Sequence, residues 1–298
     1  MLFRSIPGFK LEKHVVQRRH KLLEDGGVTF RLNCDIGTDI SFDEIREAHD
    51  AVLVSTGVYK ARDISAPGIG MGGIVPALDY LTASNRKSLG DEVADFDSGL
   101  LNAEGRDVVV IGGGDTAMDC VRTAIRQKAN SVTCLYRRDR ANMPGSQREV
   151  ANAEEEGVDF RWLSAPQAFL GDNHVRAVQA QKIHLGQPDA TGRQVPQIIE
   201  DSSHEIPADL VIKALGFDPE DIPTMFGAPE LEVSKWGTIG VDWRTMMTNL
   251  PGVFAAGDIV RGASLVVWGV RDGRYAAESI HSYIMAQSEA PRVAATGA

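Results

Sequence analysis

At 298 residues, with 43% hydrophobic and 24% charged side chains, the chain is long enough for two domains and a sizeable core, and its composition is that of an ordinary globular protein. A net charge of −10 argues against nucleic acid as a partner, and no apolar run approaches the roughly 18 residues a membrane helix needs. Cys34, Cys120 and Cys134 form no C-x-x-C pair, so no zinc, iron–sulfur or other metal site is read; their odd number, without a leader peptide, suits reduced thiols in a cytoplasm.

The opening residues hold a Pro7–Gly8 turn with no strand before it. Val15, Val16, Leu22 and Leu23 have helical spacing, which predicts a helix over 13–24 stopped by Gly26–Gly27, with Arg18–Lys21 on its solvated face. Val28–Leu32 reads as a short strand and Phe42–Ala48 as a short helical or turn segment. Asp50–Ser55 reads as a buried strand running into Thr56–Gly57; that glycine marks either close approach of a ligand or a plain turn. In the connection 58–105, Pro67–Gly73 is turn-rich, Ile74–Leu81 is a candidate helix, and Asn85–Glu104 is a polar, acidic surface loop.

Val108–Arg138 organises the rest. Four apolar residues, Val108–Ile111, give way to Gly112, Gly113 and Gly114; a helical pattern comes next, then the apolar run Val132–Leu135, Tyr136 and two arginines. This is a β–turn–α–β unit with G-x-G-x-x-A at Gly112, Gly114 and Ala117. Gly112 permits the tight turn, Gly114 lets backbone approach a pyrophosphate, and Ala117 lets helix and strand pack closely, while the helix N-terminus offers free N–H groups and the positive end of its dipole. At the end of the second strand an NAD site carries Asp or Glu, and an NADP site carries Arg. Here stand Arg137 and Arg138, with Arg140 beyond; the planar fork of arginine suits a 2′-phosphate, the alternative being an exposed basic turn partly neutralised by Asp139.

Farther on, Ser146 and Glu149 have capping-box spacing for a helix ending at Gly157, and Val158–Leu163 reads as the next strand, so alternation of β and α predicts a parallel sheet. Residues 166–206, with runs at Val175–Ile183 and Pro196–Ile199, read as an antiparallel meander. Asp209–Ala214 is a last strand of this region, running into Leu215–Gly216–Phe217, and 219–240 is loop-rich. Val253–Ala256 is a short buried strand leading to Gly257–Asp258; Ser264–Met285 is helical, interrupted at Gly269 and Gly273. Asp258 is placed either to bond a ribitol or ribose hydroxyl or to cap the next turn, and both readings stay open.

The segments IPGFKLEK, LVSTG, VVVIGGGDTAMDCVR, LYRRDRANMPGS, ALGF and GVFAAGDIVRGASLVVWGVRDGR occur in one order from about Ile6 to Met285. Together they resemble the small-subunit family of NADPH-dependent glutamate synthases and its flavoprotein relatives. The resemblance implies an α/β protein with two Rossmann-like dinucleotide-binding domains, the NADPH domain inserted into a FAD domain. It implies a FAD-domain first segment over 1–58, a connection over 59–105, the NADPH domain over 106–240 and a FAD-domain second segment over 241–298. Gly112, Gly114, Thr116 and Ala117 would bind the NADPH pyrophosphate, Gly113 and Asp115 would belong to the same cofactor site, and Arg137 and Arg138 would bind its 2′-phosphate. Gly257 and Asp258 would bind FAD ribityl and phosphate groups, Val266, Val267 and Trp268 would lie beside the flavin ring, and Thr56–Gly57 and Leu215–Gly216 would sit at the two cofactor crevices. Hydride transfer itself requires no side-chain acid or base, so no catalytic residue is named.

Members of that family begin with a cysteine-rich iron–sulfur region and a first glycine-rich FAD unit. The resemblance covers neither of these two regions and starts just beyond them, so the expectation is a truncated chain, a fragment or one part of a split protein, with FAD binding weakened. The implied partners are an iron–sulfur region supplied elsewhere and the large glutamate synthase subunit, which makes glutamate in the cytoplasm. The alternatives are an NADPH-binding module without catalysis of its own, or an electron-input chain for another acceptor such as ferredoxin or a pyrimidine.

Overall fold

A computed structural model describes residues 4–188 and 194–289. In chain order the elements are α1 (Lys13–Asp25), α2 (Phe42–Ala48), β1 (Val52–Val54), β2 (Lys60–Ala61), β3 (Ile74–Pro76), α3 (Ala77–Ser88), α4 (Ala94–Asp97), β4 (Asp107–Ile111), α5 (Asp115–Arg126), β5 (Ser131–Leu135) and α6 (Gln147–Glu155). Then come β6 (Asp159–Arg161), β7 (Ser164–Gly171), β8 (Val175–Pro188), β9 (Gln194–Ile198), β10 (His204–Pro207), β11 (Leu210–Lys213), β12 (Phe217–Asp218), α7 (Ile222–Phe226), β13 (Val253–Ala255), α8 (Asp258–Arg261) and α9 (Val266–Glu289). Among the described residues the chain divides into two compact units: 4–29 together with the described part of Asp63–Gly216, and Phe30–Arg62 together with 217–289. The second unit is thus discontinuous, interrupted by 63–216. Its later share begins at Phe217, so 217–240 group with it and not with the rest of the segment expected to run over 106–240, while 4–29 group with the first unit.

The first unit is built on a five-stranded sheet in the order β3-β11-β4-β5-β6, every pair parallel. The run Asp107–Ile111 has no polar alternation because both faces of the sheet are covered. Val108 and Val110 point to a core shared with α3, α5 and α6, whereas Val109 and Ile111 point to a second core shared with Phe169, Val178 and Ile206 of an antiparallel sheet. That antiparallel sheet runs β10-β8-β7 with β9 on β8, the meander expected over 166–206.

Several local expectations change. Ile74–Leu81 is not one helix: Ile74 and Val75 pair with β11 at the sheet edge, the place where Pro76 costs no ladder hydrogen bond, and the helix starts at Ala77. Asn85–Glu104 holds the end of α3 and the short α4. Val28–Leu32 is not a strand; Val28 donates back to the Leu23 carbonyl, and these residues stay exposed. Gly269 and Gly273 do not interrupt the last helix, which is continuous as α9.

Ser146 does not cap α6 with its side chain, its own N–H goes to Asp115, and the carboxylate of Glu149 goes to Arg122. Arg122 bonds Glu149 at 2.7 Å and Glu156 at 2.7 and 3.1 Å, Arg126 bonds Glu156 at 2.6 Å, and Lys10 meets Asp119 at 2.7 Å and Glu149 at 3.4 Å. The ring of Phe9 lies under the Arg126 guanidinium at 3.9 Å. Asp119, Arg122 and Arg126 share one face of α5 by their i, i+3, i+7 spacing, and this network ties α5 to α6 and to the turn after Pro7. The second unit holds a smaller core around Phe42, Leu231, Ile239, Val253 and Ile259, and its parallel strands β1 and β13 pair from Val52–Val253 to Val54–Ala255.

Hydrogen bonds from Arg126, and then from Arg122, pull the Glu156 carboxyl down to about 2 against the opposing effect of burial. A depressed folded-state value stabilises the fold above the ordinary glutamate range, and that stabilisation disappears as pH falls through the folded value. Glu156→Gln is therefore expected to lower unfolding free energy at pH 7 by about 1.5–3 kcal/mol. The gap from the unsubstituted chain should shrink as pH drops from about 4.5 toward 2, as read in urea melts across pH; a gap that stays constant with pH refutes the assignment.

Candidate functional site

At the carboxyl edge of the five-stranded sheet three turns lie side by side, because Lys213 pairs with Ile111 and Ile111 with Leu135. Gly112–Gly114 leave β4, Tyr136–Arg138 leave β5, and Ala214–Gly216 leave β11. The crevice of an open α/β sheet forms at such a place, where strand order reverses: from β4 the chain proceeds through α5 toward β5 and β6, while β11 and β3 lie on the other side.

The three glycines have three different surroundings. Gly112 has φ +148°, and a Cβ there would stand 2.2 Å from the Ala214 carbonyl oxygen. A Cβ on Gly113 would stand 2.4 Å from the Tyr136 ring. Both are demanded by packing. Gly114 has an ordinary φ of −90°, and nothing lies within 4 Å of where its Cβ would be. No feature of the fold requires glycine at 114; what its absent side chain leaves is open space at the N-terminus of the twelve-residue α5. Ala117 is fully buried against the sheet, while Asp115 and Thr116 are half-buried at the helix start.

The two arginines after β5 differ from the third. Arg140 is occupied by Glu154 at 2.8 Å. Among the described residues neither Arg137 nor Arg138 forms an ion pair, and Arg138 Nε is buried with no hydrogen-bond partner. A buried guanidinium N–H left without an acceptor is costly, and an anion is one group that can satisfy it. The segment 139–146 bridges the arginines and the glycine turn. Gly145 donates to the Gly113 carbonyl at 3.0 Å, Ser146 N–H to Asp115 Oδ1 at 3.0 Å, and Tyr136 hydroxyl to the Asn142 carbonyl at 3.2 Å.

Sequence reasoning missed the charged cluster on α5. Burial, opposed by Lys10, pushes the Asp119 carboxyl up to about 6. Its signal in the sequence was Asp119, Arg122 and Arg126 recurring at helical spacing on a helix whose other faces are apolar.

In the second unit, β1 and β13 end in register, so Thr56–Gly57 and Gly257–Asp258 emerge side by side at one sheet edge, with Ala256 N–H donating to the Val54 carbonyl at 3.1 Å. Gly57 and Gly257 both have positive φ, +78° and +81°. Asp258 is half-buried; burial raises its carboxyl above the ordinary range, while the Ser264 amide facing it pulls the other way. Gly257 lies against Gly269 of α9, and at the start of α9 Val266, Val267 and Trp268 are exposed, Val267 at 65%. Arg261 holds this region together: it pairs with the fully buried Asp272 at 2.5 and 2.7 Å, and its guanidinium lies 4.8 Å from the Trp243 ring and 5.3 Å from the Trp268 ring. Among the described residues no helix is long and apolar enough to cross a membrane.

Comparison with known proteins agrees with this arrangement. The family model for pyridine nucleotide-disulphide oxidoreductases matches residues 10–290. A glutamate synthase [NADPH] small chain from Azospirillum brasilense is 67% identical over 291 residues, which are 98% of this chain and 60% of that protein. A putative glutamate synthase [NADPH] small chain from Cereibacter sphaeroides is 66% identical over 284 residues, 95% of this chain and 68% of that one. The chain thus spans about 60–68% of the length of these two relatives. Among solved structures, Mycobacterium tuberculosis FprA in complex with NADPH superposes with a TM-score of 0.76 at 18% identity, covering 97% of this chain and 76% of that one, a likeness of fold. With the family model matched over nearly the whole chain and relatives this similar, the chain belongs to the pyridine nucleotide-disulphide oxidoreductase family.

Proposed function

We propose that the chain is the electron-input part of an NADPH-dependent glutamate synthase: its first unit binds NADPH and its second unit contributes to binding FAD. The observation that carries the NADPH assignment is Gly114, an otherwise unnecessary glycine with open space before the N-terminus of α5. That space and those N–H groups fit a pyrophosphate, and the unpaired Arg137 and Arg138 fit the 2′-phosphate that distinguishes NADPH from NADH. Gly112, Gly113 and Ala117 shape the turn, Thr116 and Asp115 stand at the helix start, and Gly216 closes the neighbouring crevice wall.

For the flavin, the positive-φ turns at Gly57 and Gly257 let backbone approach a flat ring system, Thr56 and Asp258 offer polar atoms to ribityl hydroxyls, and Val266, Val267 and Trp268 offer an apolar face. No turn of the Gly112 kind, leading from a strand into a long helix, occurs among the described residues of the second unit, and no residue of this chain is assigned to the FAD pyrophosphate.

Bound together, NADPH and FAD would supply hydride-transfer chemistry; the chain's own contribution would be to position the two ring systems, with no side-chain acid or base required. The names of the Azospirillum and Cereibacter relatives support glutamate synthesis as the purpose, with a large subunit as partner; an iron–sulfur region carrying electrons onward is a further part of the proposal. Cys34, Cys120 and Cys134, all free thiols, suit a reducing cytoplasm.

Arg138→Ala is expected to weaken NADPH about tenfold or more while leaving NADH nearly unchanged, as measured by fluorescence titration. Gly114→Ala should keep unfolding free energy within about 1 kcal/mol of the original, since its Cβ meets nothing, yet weaken both nucleotides. Equal affinity of the unsubstituted chain for NADPH and NADH sinks the assignment. Anaerobic addition of NADPH to the chain supplemented with FAD should bleach the flavin band; failure to bleach at stoichiometric FAD leaves nucleotide binding intact and removes autonomous flavin reduction.

A further inference from the structure

We infer that Asp115 sets the preference for NADPH over NADH by holding the arginine-bearing loop in place, an inference resting on the NADPH reading of the first unit. A carboxylate suits a helix start, but at this one it stands where the proposed pyrophosphate would lie. Asp115 is the first residue of α5, next to the space left by Gly114, where its charge opposes that of a pyrophosphate. A side chain that only contacted the ligand would be neutral or cationic here. Asp115 Oδ1 instead accepts the Ser146 backbone N–H at 3.0 Å, and the α5 N-terminus to which it belongs favours its negative charge.

That one bond joins the start of α5 to the start of α6 across the loop that comes after Arg138. A parallel bond runs beside it, from Gly145 N–H to the Gly113 carbonyl at 3.0 Å, and Gly145 fits so tightly that a Cβ on it would stand 3.1 Å from the Gly113 oxygen. At its other end the loop is folded on itself, Asp139 Oδ1 accepting from Asn142 N and Asn142 Nδ2 at 2.8 Å each, and Tyr136, the ring that seals Gly113, donates to the Asn142 carbonyl at 3.2 Å. The loop is therefore a strut between the glycine turn and Arg137–Arg138. It fixes the separation between the place for a pyrophosphate and the place for a 2′-phosphate before any nucleotide arrives, so the arginines need not be ordered on binding. Asp115 acts through Ser146 and the arginines; it is a positioning residue, and NADH, lacking the 2′-phosphate, gains nothing from it.

Three variants of the full chain separate this role from bulk stability and from simple charge. Asp115→Ala removes both tether and charge, Asp115→Asn keeps an accepting oxygen while removing the charge, and Ser146→Pro removes the donated N–H from the other side at a residue whose φ of −58° already suits proline. Dissociation constants for NADPH and for NADH are measured by fluorescence titration, with circular dichroism to confirm folding. Asp115→Ala and Ser146→Pro are each expected to lower the NADPH:NADH affinity ratio about tenfold, through NADPH alone, while Asp115→Asn retains the ratio. A ratio unchanged in Asp115→Ala, equal losses for both nucleotides, or an Asp115→Asn ratio as low as that of Asp115→Ala overturns the inference. An unsubstituted chain without preference for NADPH overturns the NADPH reading and this inference together, whereas a preference for NADPH that Asp115→Ala does not disturb overturns this inference alone.

Discussion

The first unit depends on one close approach. At the end of β4 the chain must leave a fully buried strand, turn, and enter a helix packed on the same sheet, with the Ala214 carbonyl on one side of the turn and the Tyr136 ring on the other. There is no room for a Cβ at Gly112 or Gly113, and at Gly112 the backbone also adopts a positive φ that L side chains resist. Because the turn is that tight, α5 starts immediately at Asp115, its N–H groups open onto the sheet edge, and the strand ends carrying Arg138 and Gly216 become its neighbours.

Around this turn, charge is arranged in two distinct ways. On the far face of α5 the charges are satisfied: Lys10, Asp119, Arg122, Arg126, Glu149 and Glu156 form a network in which each charge has an opposite one within hydrogen-bond or ion-pair reach. At the carboxyl edge they are not, since Arg138 Nε has no acceptor and, among the described residues, Arg137 has no carboxylate. Arg106 Nη1 is likewise buried without a partner, so what sets Arg138 apart is its place at the carboxyl edge beside the glycine turn. The second unit shows the same division, with Arg261 fixed by Asp272 and two tryptophans while the start of α9 beside it stays exposed and apolar.

Much of this is legible in the sequence. The strand–glycine–helix–strand unit, the arginine pair, the antiparallel meander and the parallel pairing around β4 arise from patterns a few residues long, where local propensity and burial agree. The features that are not legible have identifiable causes. Ile74–Leu81 misleads because two β-branched residues before a proline carry little information without the neighbouring β11. The capping box at Ser146–Glu149 has the right letters, but the Ser146 N–H goes to Asp115 and the Glu149 carboxylate to Arg122, both distant in sequence. Val28–Leu32 has strand composition and no strand to pair with among the described residues.

The amino-acid sequence by itself determined the elements whose signals are local: a buried strand, a turn that only glycine can make, a helix start, and two arginines at a strand end. Only the tertiary structure decided which of those residues serve packing and which leave space, because that depends on atoms far away in the chain. It distinguished Gly112 and Gly113, crowded by Ala214 and Tyr136, from Gly114, which faces nothing. It likewise distinguished Arg140, neutralised by Glu154, from Arg138, whose Nε is buried without a partner. A sequence motif names residue types at spacings; close approach and charge pairing are properties of three-dimensional neighbours, and here they separate the residues fixed by packing or pairing from those left open.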